Sequence, residues 1–564
     1  MEHFYTNERN HQILIYLLKA HNIKKLIVSP GTANSVFVGS IQNDPFFEIY
    51  SCVDERSAAY MACGLSIETN EPVVISCTGA TAARNYMSGA TEAFYSKLPI
   101  LILTSSQPTY RIGHMVTQVT DRTSAPNDTC NLSLELPLIN TPEEEWFCTV
   151  NANKALLALR RNGNGPVHLN LITPYSYSEN VALTHKELES TRVIKRITRI
   201  DFFPELKEKK VGIFVGSHRK WSVDLIKIVE KFCEKNNAVV FCDHTSNYSG
   251  KYKVLFPLVI NQADLNKAKV PAYSMDILIH IGELSGEEGS SSMIKGKETW
   301  RVSEDGEIRD YFRNMTYVFE MSEYEFFEKY QSSKENNISF YEECLRIYDS
   351  YKVKLPKLTE EMPFSNVWLA QKIAPAIPKG STVMLSILNT LRTWNYGIFD
   401  DSVNVYSPVG GFGIDGATSM LIGASLGNSE KLYFCMSGDL AFFYDLNVLG
   451  NRHVGKNVRI LLINNGLGFE FKKDYALAYR LLQDEVNPYV AADGHFGCKS
   501  KDLVRNFSEN LGYKYLCASS KEEFMKQLDI FVNPNISDGP IVFECFVDSK
   551  DESIALNLIQ NRSN

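Results

Sequence analysis

The chain has 564 residues, more than a single hydrophobic core usually supports, and this length predicts two or three domains. Hydrophobic residues make up 44% and charged residues 22%, a globular composition that excludes extensive disorder. The formal net charge of -8 argues against a surface that neutralises nucleic-acid phosphates, so we expect no nucleic-acid partner.

The sequence shows no pattern of export or membrane insertion. Its first residues lack a basic stretch followed by an apolar one, and its longest apolar runs are far shorter than the roughly 20 residues that span a bilayer. The twelve cysteines form no CxxC pair and no zinc-ligand cluster, which is typical of reduced thiols. We therefore predict a cytoplasmic protein with no membrane partner.

Strand-like apolar runs alternate with helix-like stretches in three successive regions. The first, residues 1–185, contains KKLIVSPG, PVVISCTG, LPILILTSS and GPVHLNLITP. The second, residues 190–350, contains VGIFVGS, AVVFCDH and MDILIHIGE, and the third, residues 360–564, contains VMLSI, KLYFCMSGD, VRILLINNG and GPIVFECFV. This alternation indicates βαβ units on parallel sheets that are buried on both faces. We predict an α/β fold with three doubly wound parallel-sheet domains.

The strongest chemical signal lies in the third region, where polar residues follow two successive strand-like runs. One run ends at Gly438-Asp439, after which we expect a helix to begin near Ala441, and the next run ends at Asn465-Gly466. The carboxyl ends of neighbouring parallel strands meet at the sheet edge where ligands bind. Carboxylate and amide oxygens suit magnesium, which commonly bridges to phosphate oxygens. The pattern predicts a magnesium and diphosphate site, although each half alone would also fit an ordinary turn or helix cap.

Longer stretches around these residues resemble a known family. GFGIDGATSMLIGASL, SGDLAFFYDLNVL and LLINNGLGFEF are similar to the cofactor-binding domain of thiamine-diphosphate enzymes of the acetolactate synthase and pyruvate decarboxylase superfamily. The similarity is strongest to the menaquinone-pathway 2-succinyl-5-enolpyruvyl-6-hydroxy-3-cyclohexene-1-carboxylate synthases. It implies that thiamine diphosphate and Mg2+ are the cofactors. The implied metal ligands are Asp439, Asn465 and the Leu467 carbonyl, and the implied cofactor contacts are Gly438, Leu440 and Ala441 at the diphosphate, Ile414 beneath the bent cofactor and Gly411 beside its aminopyrimidine ring.

The first region resembles the pyrimidine-binding domain of the same family through VSPGTANS, CVDERSAAYMACGLS and VISCTGATAARNYMSGATEAFYSKLPILILTSSQP. The resemblance implies that Glu55 activates the cofactor, since a carboxyl group against the pyrimidine nitrogen lets the exocyclic amine act as a base. It also implies that Gln118 faces the substrate or cofactor, and that Thr78 and Gly79 lie near the cofactor. On local sequence alone, Glu55 would also fit a solvated helix start and Gln118 a surface loop. A homodimer or a dimer of dimers, with active sites at the subunit interface, is implied as well.

The chain departs from the synthases where those enzymes bind carboxylate-rich substrates through arginines. At the corresponding positions the chain has Thr32-Ala33, Ser106-Gln107, Trp394 and Val409. A shifted register would offer Arg392 as a substitute. We expect the substrate to contact Thr32, Asn389, Thr390, Arg392 and Phe471. The loss of arginines predicts a smaller or less anionic donor or acceptor than the isochorismate and 2-oxoglutarate pair of the synthases.

The retained cofactor residues imply a transferase or lyase that decarboxylates a 2-oxo acid and passes the acyl carbanion to an acceptor carbonyl or to a proton. The closest alternative is a genuine menaquinone-pathway synthase whose arginines come from other positions. An alternative of another class is a catalytically silent cofactor-binding regulatory subunit, against which the retention of Glu55, Asp439 and Asn465 argues. A dinucleotide dehydrogenase is disfavoured because no GxGxxG motif follows the first strand. We expect no flavin in the central region, where VGIFVGS is too sparse in glycine.

Overall fold

A computed structural model describes residues 3–121, 125–174, 180–206, 209–331 and 335–562. The chain divides into two compact units. The first consists of Met1–Thr198 together with Gly306–Val318, and the second of Arg199–Asp305 together with Phe319–Asn564. Each unit is described by itself.

The amino-terminal part of the chain alternates strands and helices as the sequence predicts. Its strands are β1 (Tyr5–Thr6), β2 (Lys25–Val28), β3 (Glu48–Ser51), β4 (Val73–Thr78), β5 (Ile100–Ser106), β6 (Leu132–Leu136), β7 (Val167–Ile172), β8 (Leu183–His185) and β9 (Lys195–Ile197). Its helices are α1 (Arg9–Ala20), α2 (Ser35–Ile41), α3 (Glu55–Thr69), α4 (Ala82–Asn85), α5 (Met87–Tyr95) and α6 (Pro142–Ala158), with a 3-10 turn at Thr109–Arg111.

Six of these strands form one parallel sheet in the order β3-β2-β4-β5-β7-β6. Successive residues of β5 alternate between two apolar clusters because side chains on a strand point to opposite faces. Leu101 and Leu103 pack with α1 and α6, whereas Ile100 and Ile102 pack with α3 and α5. The sheet is therefore covered by helices on both sides.

The middle part of the chain continues the alternation. Its strands are β10 (Val211–Val215), β11 (Ala238–Cys242), β12 (Lys253–Leu255), β13 (Tyr273–Ile281), β14 (Ile294–Val302) and β15 (Met315–Phe319). Its helices are α7 (Val223–Asn236), α8 (Pro257–Ile260), α9 (Ala263–Ala268), α10 (Ser290–Met293), α11 (Glu323–Lys329), α12 (Ser339–Lys352) and α13 (Leu355–Glu361), with a 3-10 turn at His244–Ser246. Within the second unit, five of the strands pair in parallel in the order β12-β11-β10-β13-β14.

The carboxyl-terminal part forms a third sheet, also within the second unit. Its strands are β16 (Thr382–Leu385), β17 (Asn404–Tyr406), β18 (Tyr433–Gly438), β19 (Val458–Asn464), β20 (Lys514–Ala518) and β21 (Ile541–Phe546). Its helices are α14 (Asn366–Ile373), α15 (Asn389–Trp394), α16 (Ala417–Ser425), α17 (Asp439–Tyr444), α18 (Leu477–Leu482), α19 (Leu503–Asn510), α20 (Lys521–Phe531) and α21 (Ser549–Ile559). The 3-10 turns are Ala374–Ala376, Leu446–Gly450, Phe469–Lys472, Gln483–Val486 and Phe496–Cys498.

This third sheet has six parallel strands in the order β17-β16-β18-β19-β21-β20. The prediction of an α/β fold with doubly wound parallel sheets is confirmed. The predicted boundaries at 1–185, 190–350 and 360–564 stay a prediction. Over the described ranges, no helix has the length and apolar character needed to cross a membrane.

Two helical glycines in the first unit allow a matched stability test. A methyl group on Gly89 would lie 2.4 Å from Cβ of Ala59, where α5 packs on α3, whereas one on Gly64 would meet no described atom within 4 Å. We expect Gly89→Ala to lower the free energy of unfolding by about 1 to 3 kcal/mol through overpacking. Gly64→Ala should be neutral or raise it by about 0.5 to 1 kcal/mol, because alanine is the better helix former. Urea unfolding measures both, and equal shifts would contradict the packing of α3 on α5.

Candidate cofactor site

The predicted metal ligand Asp439 lies at the junction between strand β18 and helix α17. Gly438 pairs in register with Ile463 of β19, so the ends of the two strands lie side by side. The sequence suggested a helix start near Ala441, but α17 begins at Asp439 itself. The Leu440 amide donates to the Asp439 carboxylate at 2.9 Å. The strand therefore leads directly into the helix and holds the carboxylate at the sheet edge.

Asp439 is a buried acid, only 6% exposed. Burial raises the pKa of its carboxyl group to about 7 and the charge of Glu544 also raises it, while amide hydrogen bonds from Leu440 and Gly466 lower it. A buried carboxylate is costly unless a cation or several donors stabilise its charge. A divalent cation at this position would supply that charge, so Asp439 fits a magnesium ligand.

Asn465 and Leu467 follow strand β19 in a tight turn. The Leu467 amide donates to the Asn465 side-chain oxygen at 3.2 Å. Gly466, between them, has a φ of +77°, a left-handed conformation that glycine adopts without strain. Across the described residues, no cluster of three histidine, cysteine or acidic side chains could hold a metal. The donor set available here is instead one carboxylate with amide and carbonyl oxygens, which suits magnesium.

The end of strand β19, at Asn464, is held by a buried acid in the neighbouring strand β21. Asn464 donates to one oxygen of Glu544 at 2.7 Å, and the Tyr515 hydroxyl donates to the other oxygen at 2.7 Å. Burial raises the pKa of the Glu544 carboxyl group. Glu544 lies on β21, whose pairing with β19 fixes this contact. Glu544 and Tyr515 were not predicted from the sequence, since their contacts are long-range.

The backbone around the predicted diphosphate contacts is open. A Cβ atom added to Gly438 would meet nothing described nearer than Oγ1 of Thr390 at 3.8 Å, and one added to Gly411 would meet no described atom within 4 Å. Leu440 is half-buried and Ala441 is buried beside them. Ile414 is half-buried in the loop between β17 and α16. Glycine at positions 438 and 411 leaves room for a ligand against the main chain, so the residues present fit the diphosphate cofactor.

The four predicted substrate contacts in this unit differ in accessibility. Asn389 is half-buried and Thr390 is buried at the start of α15, while Phe471 is 37% exposed. Arg392 is buried, and its guanidinium group binds two carboxylates of this chain, Glu470 and Glu288. The predicted substrate arginine is thus part of an internal ion cluster, which sequence reasoning missed.

In the first unit, the predicted activator Glu55 is the first residue of α3. The helix starts here because Asp54 accepts a hydrogen bond from the Arg56 amide at 3.0 Å, as an N-cap residue does. Glu55 is half-buried, and the Asn85 side chain donates to its carboxylate at 3.1 Å. Asn85 was not predicted as a site residue, and only its place in the matching stretch TAARN could have indicated it.

The remaining predicted residues of this unit lie at a strand end or on loops at the carboxyl edge of the first sheet. Thr78 ends β4, and the Thr120 hydroxyl donates to the Gly79 carbonyl at 3.1 Å. Thr32 is exposed in the loop after β2. Gln118 is exposed as well, with a φ of +60° that is uncommon for a non-glycine residue. The structure therefore brings the ends of β2 and β4 together, as Val28 pairs with Ser76.

A metal role for Asp439 predicts a specific defect in Asp439→Asn. We expect the affinity for thiamine diphosphate in the presence of Mg2+ to fall by at least about tenfold, the loss typical of changes around a metal site. The free energy of unfolding of the cofactor-free protein should not fall, because asparagine is a neutral isostere of a costly buried acid. Calorimetric titration measures the affinity, and Asp529→Asn, an exposed acid on α20, is the matched control. Unchanged magnesium-dependent binding in Asp439→Asn would contradict this site.

The buried acid Glu287 predicts a pH dependence of stability. Its carboxylate accepts hydrogen bonds from Asn395 at 2.7 Å and Asn261 at 3.2 Å. Burial raises its pKa to about 7, with the charge of Asp243 also raising it, so the folded state binds a proton that the unfolded state releases near pH 4.5. This contribution to stability is therefore lost as the pH rises from about 4.5 to about 7.

The free energy of unfolding should fall between pH 5 and pH 8 in the wild type, and it should fall less in Glu287→Gln. We expect the two losses to differ by up to about 3 kcal/mol. The physical reason is that glutamine carries no proton that the folded state must release. Urea unfolding at the two pH values measures the difference. Parallel pH profiles of the two proteins would show that Glu287 does not titrate as proposed.

Comparisons with known proteins show which enzymes this chain resembles. A family model described as "Thiamine pyrophosphate enzyme, N-terminal TPP binding domain" matches residues 9–125. A 2-succinyl-5-enolpyruvyl-6-hydroxy-3-cyclohexene-1-carboxylate synthase of Bacteroides thetaiotaomicron is 29% identical, over 97% of this chain and 98% of that protein. Synthases of the same name from Bacteroides fragilis and Flavobacterium johnsoniae are 28% and 26% identical. These two matches cover 97% of this chain, and 98% and 97% of those proteins respectively.

The similarity extends over nearly the full length of the chain and of the relatives. It includes the segment with Glu55 and the segment with Asp439 and Asn465. Thiamine diphosphate and Mg2+ are the cofactors. The chain is a thiamine-diphosphate-dependent enzyme, and it resembles the 2-succinyl-5-enolpyruvyl-6-hydroxy-3-cyclohexene-1-carboxylate synthases.

Proposed function

We propose that the chain decarboxylates a 2-oxo acid and transfers the remaining acyl unit to an acceptor carbonyl or releases it after protonation. The observation that carries this proposal is the buried carboxylate of Asp439 at the end of β18, beside the turn that contains Asn465. A carboxylate buried to this degree fits a divalent cation. Gly438, which precedes Asp439, and Gly411 both leave the main chain open to a ligand.

Each predicted site residue has a role in this proposal except Arg392, whose guanidinium group binds Glu470 and Glu288. Bound thiamine diphosphate supplies the nucleophilic carbon and the electron sink for decarboxylation. Asp439, Asn465 and the Leu467 carbonyl hold magnesium. Glu55 holds a proton at the pyrimidine nitrogen, and its hydrogen bond from Asn85 orients its carboxyl group. The remaining contacts are Gly411, Ile414, Gly438, Leu440 and Ala441 to the cofactor, Thr78, Gly79 and Gln118 near the reacting atoms, and Thr32, Asn389, Thr390 and Phe471 to the substrate.

We propose a homodimer or a dimer of dimers as the working form. The support is the resemblance to enzymes whose active sites form at the subunit interface. A small-molecule 2-oxo acid and a carbonyl acceptor are the proposed partners in the reaction. Sedimentation velocity of the cofactor-loaded protein measures the oligomeric state directly.

The similarity to the synthases favours a second, more specific candidate. A chain 29% identical over 97% of its length to a 2-succinyl-5-enolpyruvyl-6-hydroxy-3-cyclohexene-1-carboxylate synthase could catalyse that reaction. Against it, Thr32-Ala33, Trp394 and Val409 occupy positions where the synthases have arginines, and Arg392 is bound to Glu470 and Glu288. Product formation from isochorismate and 2-oxoglutarate would establish the specific candidate, whereas carbon dioxide release from other 2-oxo acids alone would favour the broader one.

The proposed role of Glu55 predicts a large kinetic effect of Glu55→Gln. We expect the rate of carbon dioxide release to fall by about 10² to 10⁴, because glutamine cannot hold the proton that activates the cofactor. The affinity for thiamine diphosphate with Mg2+ should change little. Coupled carbon dioxide detection measures the rate for a panel of 2-oxo acids.

The matched control is Glu68→Gln, which removes an exposed acid from the same helix. It should retain wild-type turnover. Equal turnover in Glu55→Gln and Glu68→Gln would contradict the role of Glu55. A wild-type protein that binds the cofactor but releases no carbon dioxide from any 2-oxo acid would contradict the proposed function itself.

A further inference from the structure

Four charged residues beside the predicted metal site form a compact group, called here the Arg392 cluster: Arg392, Glu288, Glu470 and Lys473. Nη1 of Arg392 lies 2.6 Å from Glu470, and Nη2 lies 2.7 Å from Glu288. The Lys473 ammonium group donates to the other Glu470 oxygen at 2.8 Å. Both terminal nitrogens of the guanidinium group are therefore bound by carboxylates of this chain.

The Arg392 cluster lies next to the residues proposed to bind the cofactor. Helix α15, which carries Arg392, starts beside the metal site, since Oγ1 of Thr390 is 3.8 Å from the position of a Cβ on Gly438. Glu470 belongs to the 3-10 turn Phe469–Lys472, which directly follows the tight turn that contains Asn465 and Leu467. The loop that carries Glu288 also packs here, because a Cβ on Gly286 would lie 2.2 Å from Leu391 and 3.3 Å from Val409.

The two carboxylates of the cluster differ in exposure. The side chain of Glu470 is 17% exposed, and Lys473 beside it is buried. The side chain of Glu288 is 72% exposed, whereas that of Arg392 is 10% exposed. Glu470 is thus a fixed internal partner, and Glu288 reaches Arg392 from the solvent side. A ligand carboxylate that approached Arg392 from solvent would have to displace Glu288.

We propose that the Arg392 cluster is a specificity determinant that selects donors with a single carboxylate. An arginine binds a carboxylate best through two parallel N–H donors. In Arg392, Nη1 is bound to Glu470 and Nη2 to Glu288, so neither terminal nitrogen is available to a ligand. The negative charge of Glu288 also disfavours a second carboxylate on a donor through like-charge repulsion. The substrate class is therefore a 2-oxo acid whose side chain is uncharged. This inference rests on the proposed function and narrows it.

The test compares two donors of the same chain length, 2-oxovalerate with one carboxylate and 2-oxoglutarate with two. Carbon dioxide release by the cofactor-loaded protein gives kcat/KM for each. We expect the wild type to prefer 2-oxovalerate by at least about tenfold, the scale on which an unmet charge-assisted hydrogen bond alters selectivity. In Glu288→Gln, the ratio of the two values should shift by about tenfold toward 2-oxoglutarate, because one side of Arg392 becomes available.

Two further variants separate specificity from structural support. Glu288→Gln combined with Arg392→Gln should lose the shift, since no guanidinium group remains to bind the second carboxylate. Asp484→Asn removes an exposed carboxylate that pairs with Lys472 nearby and should leave the donor ratio unchanged. A purely structural cluster would lower kcat/KM for both donors alike and leave their ratio at the wild-type value.

An unmoved ratio in Glu288→Gln, or a wild type that uses 2-oxoglutarate as well as 2-oxovalerate, would overturn this inference and leave the proposed function standing. Absence of carbon dioxide release from every 2-oxo acid would overturn the proposed function, and the inference with it. The two failures are therefore distinguishable in one set of assays.

Discussion

The burial of one carboxylate, that of Asp439, is the constraint on which the site depends. Removing this group from water raises its pKa to about 7, although two backbone amides donate to it. The fold tolerates this cost at the end of a central strand, where ligands of parallel sheets bind. A divalent cation bound together with a diphosphate would stabilise the buried negative charge of Asp439. The carboxylate would then hold the metal and, through it, the cofactor.

The parallel sheet assembles the rest of the site around this carboxylate. Pairing of β18 with β19 places the turn that contains Asn465 beside Asp439. Pairing of β19 with β21 brings Glu544 within hydrogen-bond distance of Asn464, the last residue of β19. Gly438 and Gly466 let the main chain turn and stay open at the same edge. In the first unit, the same architecture places Glu55 at the start of a helix that Asp54 caps, and Asn85 donates a hydrogen bond to the Glu55 carboxylate.

Much of this arrangement could be predicted from the sequence, because it depends on local patterns. Apolar runs marked the strands that end at Gly438 and Asn464, and the polar residues after them marked the proposed metal site. The pattern did not predict that α17 begins at Asp439 instead of near Ala441. No turn separates the strand from the helix, so no turn residue marks the boundary. Contacts between residues far apart in sequence, such as those between Asn85 and Glu55 or Glu288 and Arg392, depend on tertiary packing that no local pattern encodes.

The same long-range packing changes how the chain's substrate preference is interpreted. On sequence alone, Arg392 was the remaining candidate to bind a substrate carboxylate, but Glu470 and Glu288 bind it within the fold.

The central question is whether Asp439 holds a metal. The most direct measurement is anomalous diffraction from crystals grown with thiamine diphosphate and Mn2+. We expect one Mn2+ ion bound by the Asp439 carboxylate, the Asn465 amide oxygen and the Leu467 carbonyl. A cofactor-bound metal held by other residues would contradict this assignment.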